Sequence, residues 1–157
     1  MSNNPPSISV VIAVMNGEKS LQRCIDSVSR QTHKEKELII IDGGSNDNTV
    51  EIIKKNIEHV KYWESKKDKG VYHAWNKGLD HVNGEWICFL GADDFFWSED
   101  CLHQMSHYLE KAGPKERILY GRVNLVTENG KILYSMGQPW ANLKGKFAST
   151  KNFMRQS

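Results

Sequence analysis

Two neighbouring aspartates, Asp93 and Asp94, point most directly to chemistry. They follow the run Glu85-Trp86-Ile87-Cys88-Phe89-Leu90 and a Gly91-Ala92 step. Adjacent carboxylates repel, and burying both raises at least one pKa. A divalent cation removes that conflict. Mg²⁺ takes hard oxygen ligands, commonly one or two protein carboxylates plus substrate phosphates, and Mn²⁺ favours similar oxygens. The competing role is a turn or capping pair, with Asp94 four residues before Ser98. Placement at the end of a buried strand favours chemistry, because open α/β sheets bind ligands there. Asp42 follows Ile39-Ile40-Ile41 in the same way. Asp42-Gly43-Gly44-Ser45 reads equally as an Asx turn and as an acidic contact for a nucleoside after a second strand.

Other chemistries lack their signatures. The residues after the first strand are Val14-Met15-Asn16-Gly17-Glu18, not GxGxxG, and neither GxxxxGK[ST] nor GxSxG occurs. His103 and His107 share a helix face, but Gln104 stands where a zinc protease has glutamate. Cys24, Cys88 and Cys101 form no CxxC pair and read as small buried hydrophobes in a reducing compartment. Trp75 is expected against the sheet, Trp97 and Trp140 are candidates to face an acceptor, and His73 and His103 read as surface helix positions.

The elements that must position the aspartates follow from periodicity. Ile8 to Val14 is a β-branched run, a strand buried on both faces. Glu18 to Arg30 carries Leu21, Cys24, Ile25 and Val28 at helical spacing. Glu37 to Ile41 is a second buried strand; the next helix, capped by Asn46 or Asp47, turns Val50, Ile53 and Ile57 inward. His59 to Glu64 is a short third strand, Val71 to Val82 a helix, and Glu85 to Leu90 the fourth strand. Ser98 caps a helix to about Lys111. Ile118 to Val126 and Lys131 to Tyr134 are strands joined at Glu128-Asn129-Gly130. Strands alternating with amphipathic helices predict an α/β fold, a mainly parallel sheet with helices on both faces. Its strands all end in polar or acidic residues, so one rim collects Asn16 to Glu18, Asp42 to Ser45, Glu64 with Asp68 to Gly70, and Asp93 with Asp94.

The length of 157 residues suits one domain that buries a core without disulfides. A net charge of +2 leaves no footprint for nucleic acid. The start Met1-Ser2-Asn3-Asn4-Pro5-Pro6 does not read as a signal peptide, and the longest apolar stretches are too short to span a bilayer. A cytoplasmic location is expected, with room for peripheral membrane association through a partner.

The chain resembles the family-2 glycosyltransferases with the GT-A fold. Four motifs carry the likeness, in order: Ser9 to Glu18, Ile40 to Thr49, Asp68 to Gly78 and Gly84 to Asp94. The resemblance implies transfer of a sugar, with inversion, from a UDP- or GDP-sugar donor to a glycan or lipid-linked acceptor, assisted by Mn²⁺ or Mg²⁺. It places Asp94 on the metal and Asp93 on the ribose beside it. Asp42 then holds the nucleobase, the backbone of Ala13, Val14 and Met15 lines the nucleoside pocket beside Glu18, and Gly44 belongs to the same donor-binding set. Asp68, Lys69 and Gly70 lie near the base or diphosphate, and Asn76 supports their loop. Ala13, Met15 and Gly91 depart from the family's usual Thr or Pro, aromatic, and Asp or Asn. The expected organisation is a disordered lead over 1–7, a GT-A nucleotide-sugar-binding domain over 8–134, and an irregular tail over 135–157 that begins an incomplete acceptor region.

An inverting transfer needs a carboxylate to deprotonate the acceptor. No Asp or Glu follows Glu128, so the base is expected beyond Ser157, with Glu99, Asp100 and Glu128 as the candidates within the chain. The alternative is a nucleotide-sugar-binding module without turnover of its own. A nucleotidyltransferase ranks below both, because Asn16-Gly17-Glu18 offers no basic Gly-rich loop for a triphosphate.

Overall fold

The computed structural model describes residues 5–113, 115, 118–127, 129–137 and 152–155. Strands β1 (Ile8–Val14), β2 (Lys36–Asp42), β3 (Tyr62–Ser65) and β4 (Trp86–Gly91) are mutually parallel, in the spatial order β3-β2-β1-β4. Helices α1 (Leu21–Ser29), α2 (Thr49–Lys55), α3 (Val71–Leu79) and α4 (Cys101–Lys111) cover both faces. Ile8, Val10, Ile12 and Val14 face α1, α2 and α4 through Leu21, Ile25, Ile53 and Leu102. Val11, Ile39 and Ile41 face α3 at Ala74. The period of two along β1 thus divides one continuous apolar run between two cores, as expected for a strand buried on both faces.

The chain moves outward from β1 to β2 and β3, then returns over α3 to β4 on β1's other side. Right-handed crossovers require a helix on the opposite face when the direction reverses, which is where α3 lies. α3 seats closely because Gly78 has no side chain: a Cβ there would stand 2.5 Å from Val11 Cγ1. Trp75 packs on this face, its ring 4.9 Å from that of Phe89.

Several local expectations shift. The α2 helix ends at Lys55, where the Asn56 amide bonds back to Ile52 O, so Ile57 enters a 3₁₀ turn and is 52% exposed, not inward. Ser98 does not cap α4; Asp100 holds that position, and buried Gln31 receives the Leu102 N–H on its Oε1 at 2.8 Å. Within the expected lead, Ser7 accepts the Trp86 N–H at 3.0 Å and the Pro6 carbonyl meets His33. The expected strand 118–126 divides into β5 (Ile118–Tyr120) and β6 (Val123–Val126). The first joins the main sheet, and the second pairs antiparallel with β7 (Ile132–Met136). The tail expected to be irregular contributes β8 (Asn152–Arg155), which lies antiparallel between β4 and β5. Backbone pairing with β4 and β5, invisible to periodicity in so short a segment, selects it. Trp140 and Glu128 lie outside the described residues.

The edge opposite the expected ligand rim is sealed by Glu37. Its carboxylate accepts Ser9 Oγ and Asn83 N, both at 2.6 Å, while Ser9 Oγ accepts Gly84 N at 2.8 Å. A Cβ on Gly84 would stand 2.6 Å from Ser9 N, a backbone atom that cannot swing aside. Gly84→Ala is expected to lower stability by about 1–3 kcal/mol, read as a lower urea midpoint at unchanged m-value.

Candidate functional site

The carboxyl ends of the parallel strands form the site. β1 is the switch point: its neighbours β2 and β4 are reached in opposite directions, which opens a crevice beyond the strand ends. Val14 stands opposite Asp42 and Ala13 opposite Gly91, so the loops emerge at one level. They are tied together by hydrogen bonds. Gly43 N donates to Val14 O at 2.9 Å, Gly17 N to Thr49 Oγ1 at 2.8 Å, and Asn16 N to Ser45 Oγ at 2.7 Å. Asn16 has a φ of 52° and accepts Asn46 N on its own side chain, a turn that asparagine tolerates. Glu18 accepts Asn48 Nδ2 at 3.1 Å.

Asp42 is fully buried. Its carboxylate accepts Gly44 N, Ser45 N and Ser45 Oγ from its own loop, and Ser65 Oγ at 2.5 Å from β3. It thus makes the Asx turn and is closed to solvent, so a contact with a base would pass through the loop it shapes. Gly44 has a φ of +91° and lies under Lys67, where a Cβ would stand 3.2 Å from Lys67 N.

The β3–α3 loop covers Gly43, whose absent Cβ would stand 3.0 Å from Asp68 Oδ2. Asp68 also accepts Gly70 N at 2.8 Å, and Lys69 N donates to His73 Nδ1 at 3.1 Å, so His73 holds the loop. Asn76 is exposed on α3; the expected support comes instead from Lys77, which donates to Lys66 O at 3.4 Å and pairs with Glu64 at 3.2 Å. Lys66 pairs with Glu64 from the other side at 3.0 Å. The Lys66 hydrogen bond holds the Glu64 carboxyl below the usual carboxylate range, and Lys77 adds to this against the opposing effect of burial.

Asp93 and Asp94 both turn back over Gly91. A Cβ at position 91 would stand 2.6 Å from Asp94 Oδ2 and 2.8 Å from Asp93 Oδ1. Asp94 N donates to Gly91 O at 3.0 Å, which makes the turn tight. Asp93 is exposed and Asp94 half-buried. Among the described residues no further His, Cys, Asp or Glu joins them in a cluster. Two hard carboxylates directed at one spot fit a divalent cation that takes its remaining ligands from phosphates. Gly17, on the other side of the crevice, lies close to Ala92, 3.8 Å from Cβ to Cβ if it carried one. The rim therefore unites Ala13, Val14, Glu18, Gly44, Asp68 and the aspartate pair, with Met15 60% exposed beside them.

Beyond Asp93 and Asp94 opens a cleft of about 530 Å³ between the end of β4, α4 and the β5–β6 segment. Trp97 lines it, and so does Arg23, whose guanidinium sits 4.4 Å over the Phe95 ring. Arg23 carries no motif and was not visible as a site residue in the sequence. Glu99 and Asp100 do not line this cleft. Asp100 is engaged by Ser98 Oγ and by Gln104 Nε2, and the Ser98 hydrogen bond leads in holding it below the usual carboxylate range.

The family model for glycosyl transferase family 2 matches residues 9–154. This chain belongs to that family. The "PGL/p-HBAD biosynthesis glycosyltransferase" of Mycobacterium bovis is 35% identical over 127 residues, 79% of this chain and 49% of that protein. An uncharacterized glycosyltransferase of Rickettsia bellii is 34% identical over 131 residues, 82% of this chain and 19% of that one. The chain thus spans half or less of the length of these relatives. Among solved structures, S. aureus TarS 1-349 superposes with a TM-score of 0.72 at 19% identity, over 95% of this chain and 47% of that one. The mannosyltransferase PcManGT from Pyrobaculum calidifontis, solved with GDP-Man and Mn²⁺, superposes with a TM-score of 0.67 at 22% identity, over 74% and 35%. The fold is GT-A.

Two outcomes follow for the family-2 rim. Asp42→Ala strands the loop donors and is expected to cost about 1–3 kcal/mol in urea unfolding without any nucleotide. Glu64 contributes stability fully above its unfolded pKa, near 4.5, and loses it as pH falls through its depressed folded value. Glu64→Gln should therefore lose less stability than the wild type between about pH 6 and pH 3.

Proposed function

We propose that this chain is the donor-binding portion of an inverting glycosyltransferase that uses a UDP- or GDP-sugar. The observation that carries the reading is that Gly43 with Asp68, after β2 and β3, and Asp93 with Asp94, after β4, lie along the one carboxyl edge of the parallel sheet, with Gly17 beside Ala92. The relatives' names support glycosyl transfer, and donor complexes of GT-A neighbours with UDP-GlcNAc and GDP-Man support the donor class.

In this reading the backbone of Ala13, Val14 and Met15 lines the nucleoside pocket beside Glu18. Asp42 positions the Gly43–Ser45 loop against the base, and Asp68 with Lys69 and Gly70 borders the base or diphosphate. Asp93 contacts the ribose, and Asp94 with Asp93 holds Mn²⁺ or Mg²⁺. The bound cation supplies Lewis-acid stabilisation of charge on the nucleoside diphosphate. The acceptor oxygen forms its bond to the anomeric carbon as the bond from that carbon to the phosphate oxygen breaks; the nucleoside diphosphate leaves and the hydroxyl proton passes to a carboxylate. Asp100 is committed to Ser98 and Gln104 and lies off the cleft, as does Glu99. We place the base beyond Ser157, in the length of the relatives that this chain does not span. The same observation favours, as a second reading, donor binding without turnover by these residues alone. A cytoplasmic setting accords with Cys24, Cys88 and Cys101, none of which is in a disulfide.

Calorimetry with UDP and GDP, with and without Mn²⁺, tests the donor reading. Mn²⁺ should tighten nucleotide binding by the wild type, and Asp94→Ala should weaken it at least about tenfold through loss of one charged ligand. Equal affinity in both proteins overturns the assignment. A transfer assay beside a chain extended past Ser157 separates the two readings, since turnover only by the longer chain places the base outside these residues.

A further inference from the structure

We infer that Lys77 and Glu64 are positioning residues for donor binding, which fix loop 66–70 against Gly43 and Gly44 and so set nucleotide affinity. The inference rests on the donor reading and extends it to two side chains that act through the loop. The loop reads Lys66-Lys67-Asp68-Lys69-Gly70 and carries no apolar side chain to hold it in place. Its position is set by polar contacts, and they converge on its first residue. Lys66 N donates to Asp42 O at 3.0 Å, Lys66 O accepts Lys77 Nζ at 3.4 Å, and the Lys66 ammonium pairs with Glu64 at 3.0 Å. Lys77 meets the same carboxylate at 3.2 Å. The next two residues are those that cover the rim. A Cβ on Gly44 would stand 3.2 Å from Lys67 N, and one on Gly43 would stand 3.0 Å from Asp68 Oδ2. A shift of Lys66 is therefore passed to both.

The Lys77–Glu64 pair is not needed to seat its own elements. α3 is held on the sheet by Ala74 and by Gly78 against Val11, and β3 by its ladder with β2. The two ion pairs of Glu64 also differ in weight. The Lys66 side chain is 73% exposed, a setting in which an ion pair contributes little. Lys77 and Glu64 are 22% and 14% exposed, and Lys77 donates to the loop carbonyl as well. Lys77 is thus the main tie. β3 stands three strand spacings from β4, about 14 Å, beyond the distance over which salt leaves exposed charges coupled. Loss of the tie therefore acts on the base side of the rim and leaves the Mn²⁺ dependence set at Asp93 and Asp94 unchanged.

Calorimetry with UDP and GDP, with and without Mn²⁺, tests this on the wild type and five variants. Lys77→Met is expected to weaken binding at least about tenfold, the effect of a competent loop position that falls to about a tenth of the population. The factor should be the same with and without Mn²⁺. Glu64→Gln should weaken binding in the same direction, and Lys66→Ala less than either. Lys77→Arg keeps the cation and the donor and should restore most of the affinity. Gly84→Ala lowers stability at the opposite edge of the sheet and should leave affinity unchanged, which separates positioning from a general loss of stability. Wild-type affinity in both Lys77→Met and Glu64→Gln overturns the inference, as does equal weakening by Lys77→Arg or by Gly84→Ala. A wild type that binds neither nucleotide overturns the donor reading and the inference with it, a result distinct from variants that bind as the wild type does.

Discussion

The parallel pairing of β1 with β2 on one side and β4 on the other is the constraint on which the rest depends. Parallel strands leave a sheet at the same edge, and the register sets Val14 level with Asp42 and Ala13 level with Gly91. Loops so crowded carry backbone groups that must find partners. They find them largely in one another: Gly43 with Val14, Gly17 with Thr49, Asn16 with Ser45. The rim is therefore built before any ligand arrives, and its shape is a consequence of satisfying the strand ends. Preorganised polar groups at a strand-end crevice are the condition for oriented binding at low cost.

Two residues show how local chemistry serves this rim. Asp42 spends its carboxylate on Gly44, Ser45 and Ser65, so its contribution is the conformation of a loop rather than a free charge. At Gly91 the space left by the missing side chain is where the Asp93 and Asp94 oxygens turn back. On the far side of that pair the character of the surface changes from hydrogen-bonded loops to aromatic rings, with Arg23 over Phe95 at the boundary.

Much of this was legible in the residues. The β-branched runs marked β1 and β2, and the apolar spacing of Leu21, Cys24, Ile25 and Val28 marked α1, because burial on both faces or on one stripe imposes those periods. Strands followed by Asp-rich or Gly-rich turns pointed to a single rim. Legibility failed where partners are distant in sequence. Gln31, buried and 71 residues from Leu102, serves the first turn of α4, a task assigned to Ser98 on local grounds. Lys77 rather than Asn76 supports the Asp68 loop, since a one-residue difference on a helix turns a side chain by about 100°.

The sequence by itself determined the α/β class, the alternation of its elements and the residues at the strand ends, because periodicity and turn chemistry are local. Only the tertiary structure decided the strand order, the insertion of β8 between β4 and β5, and the closure of Asp42 from solvent. It also decided that a cleft lined by Phe95, Phe96, Trp97 and Tyr108 opens beyond Asp94. These depend on which surfaces meet across the chain, and short edge strands and long-range hydrogen bonds leave no period in the sequence to announce them.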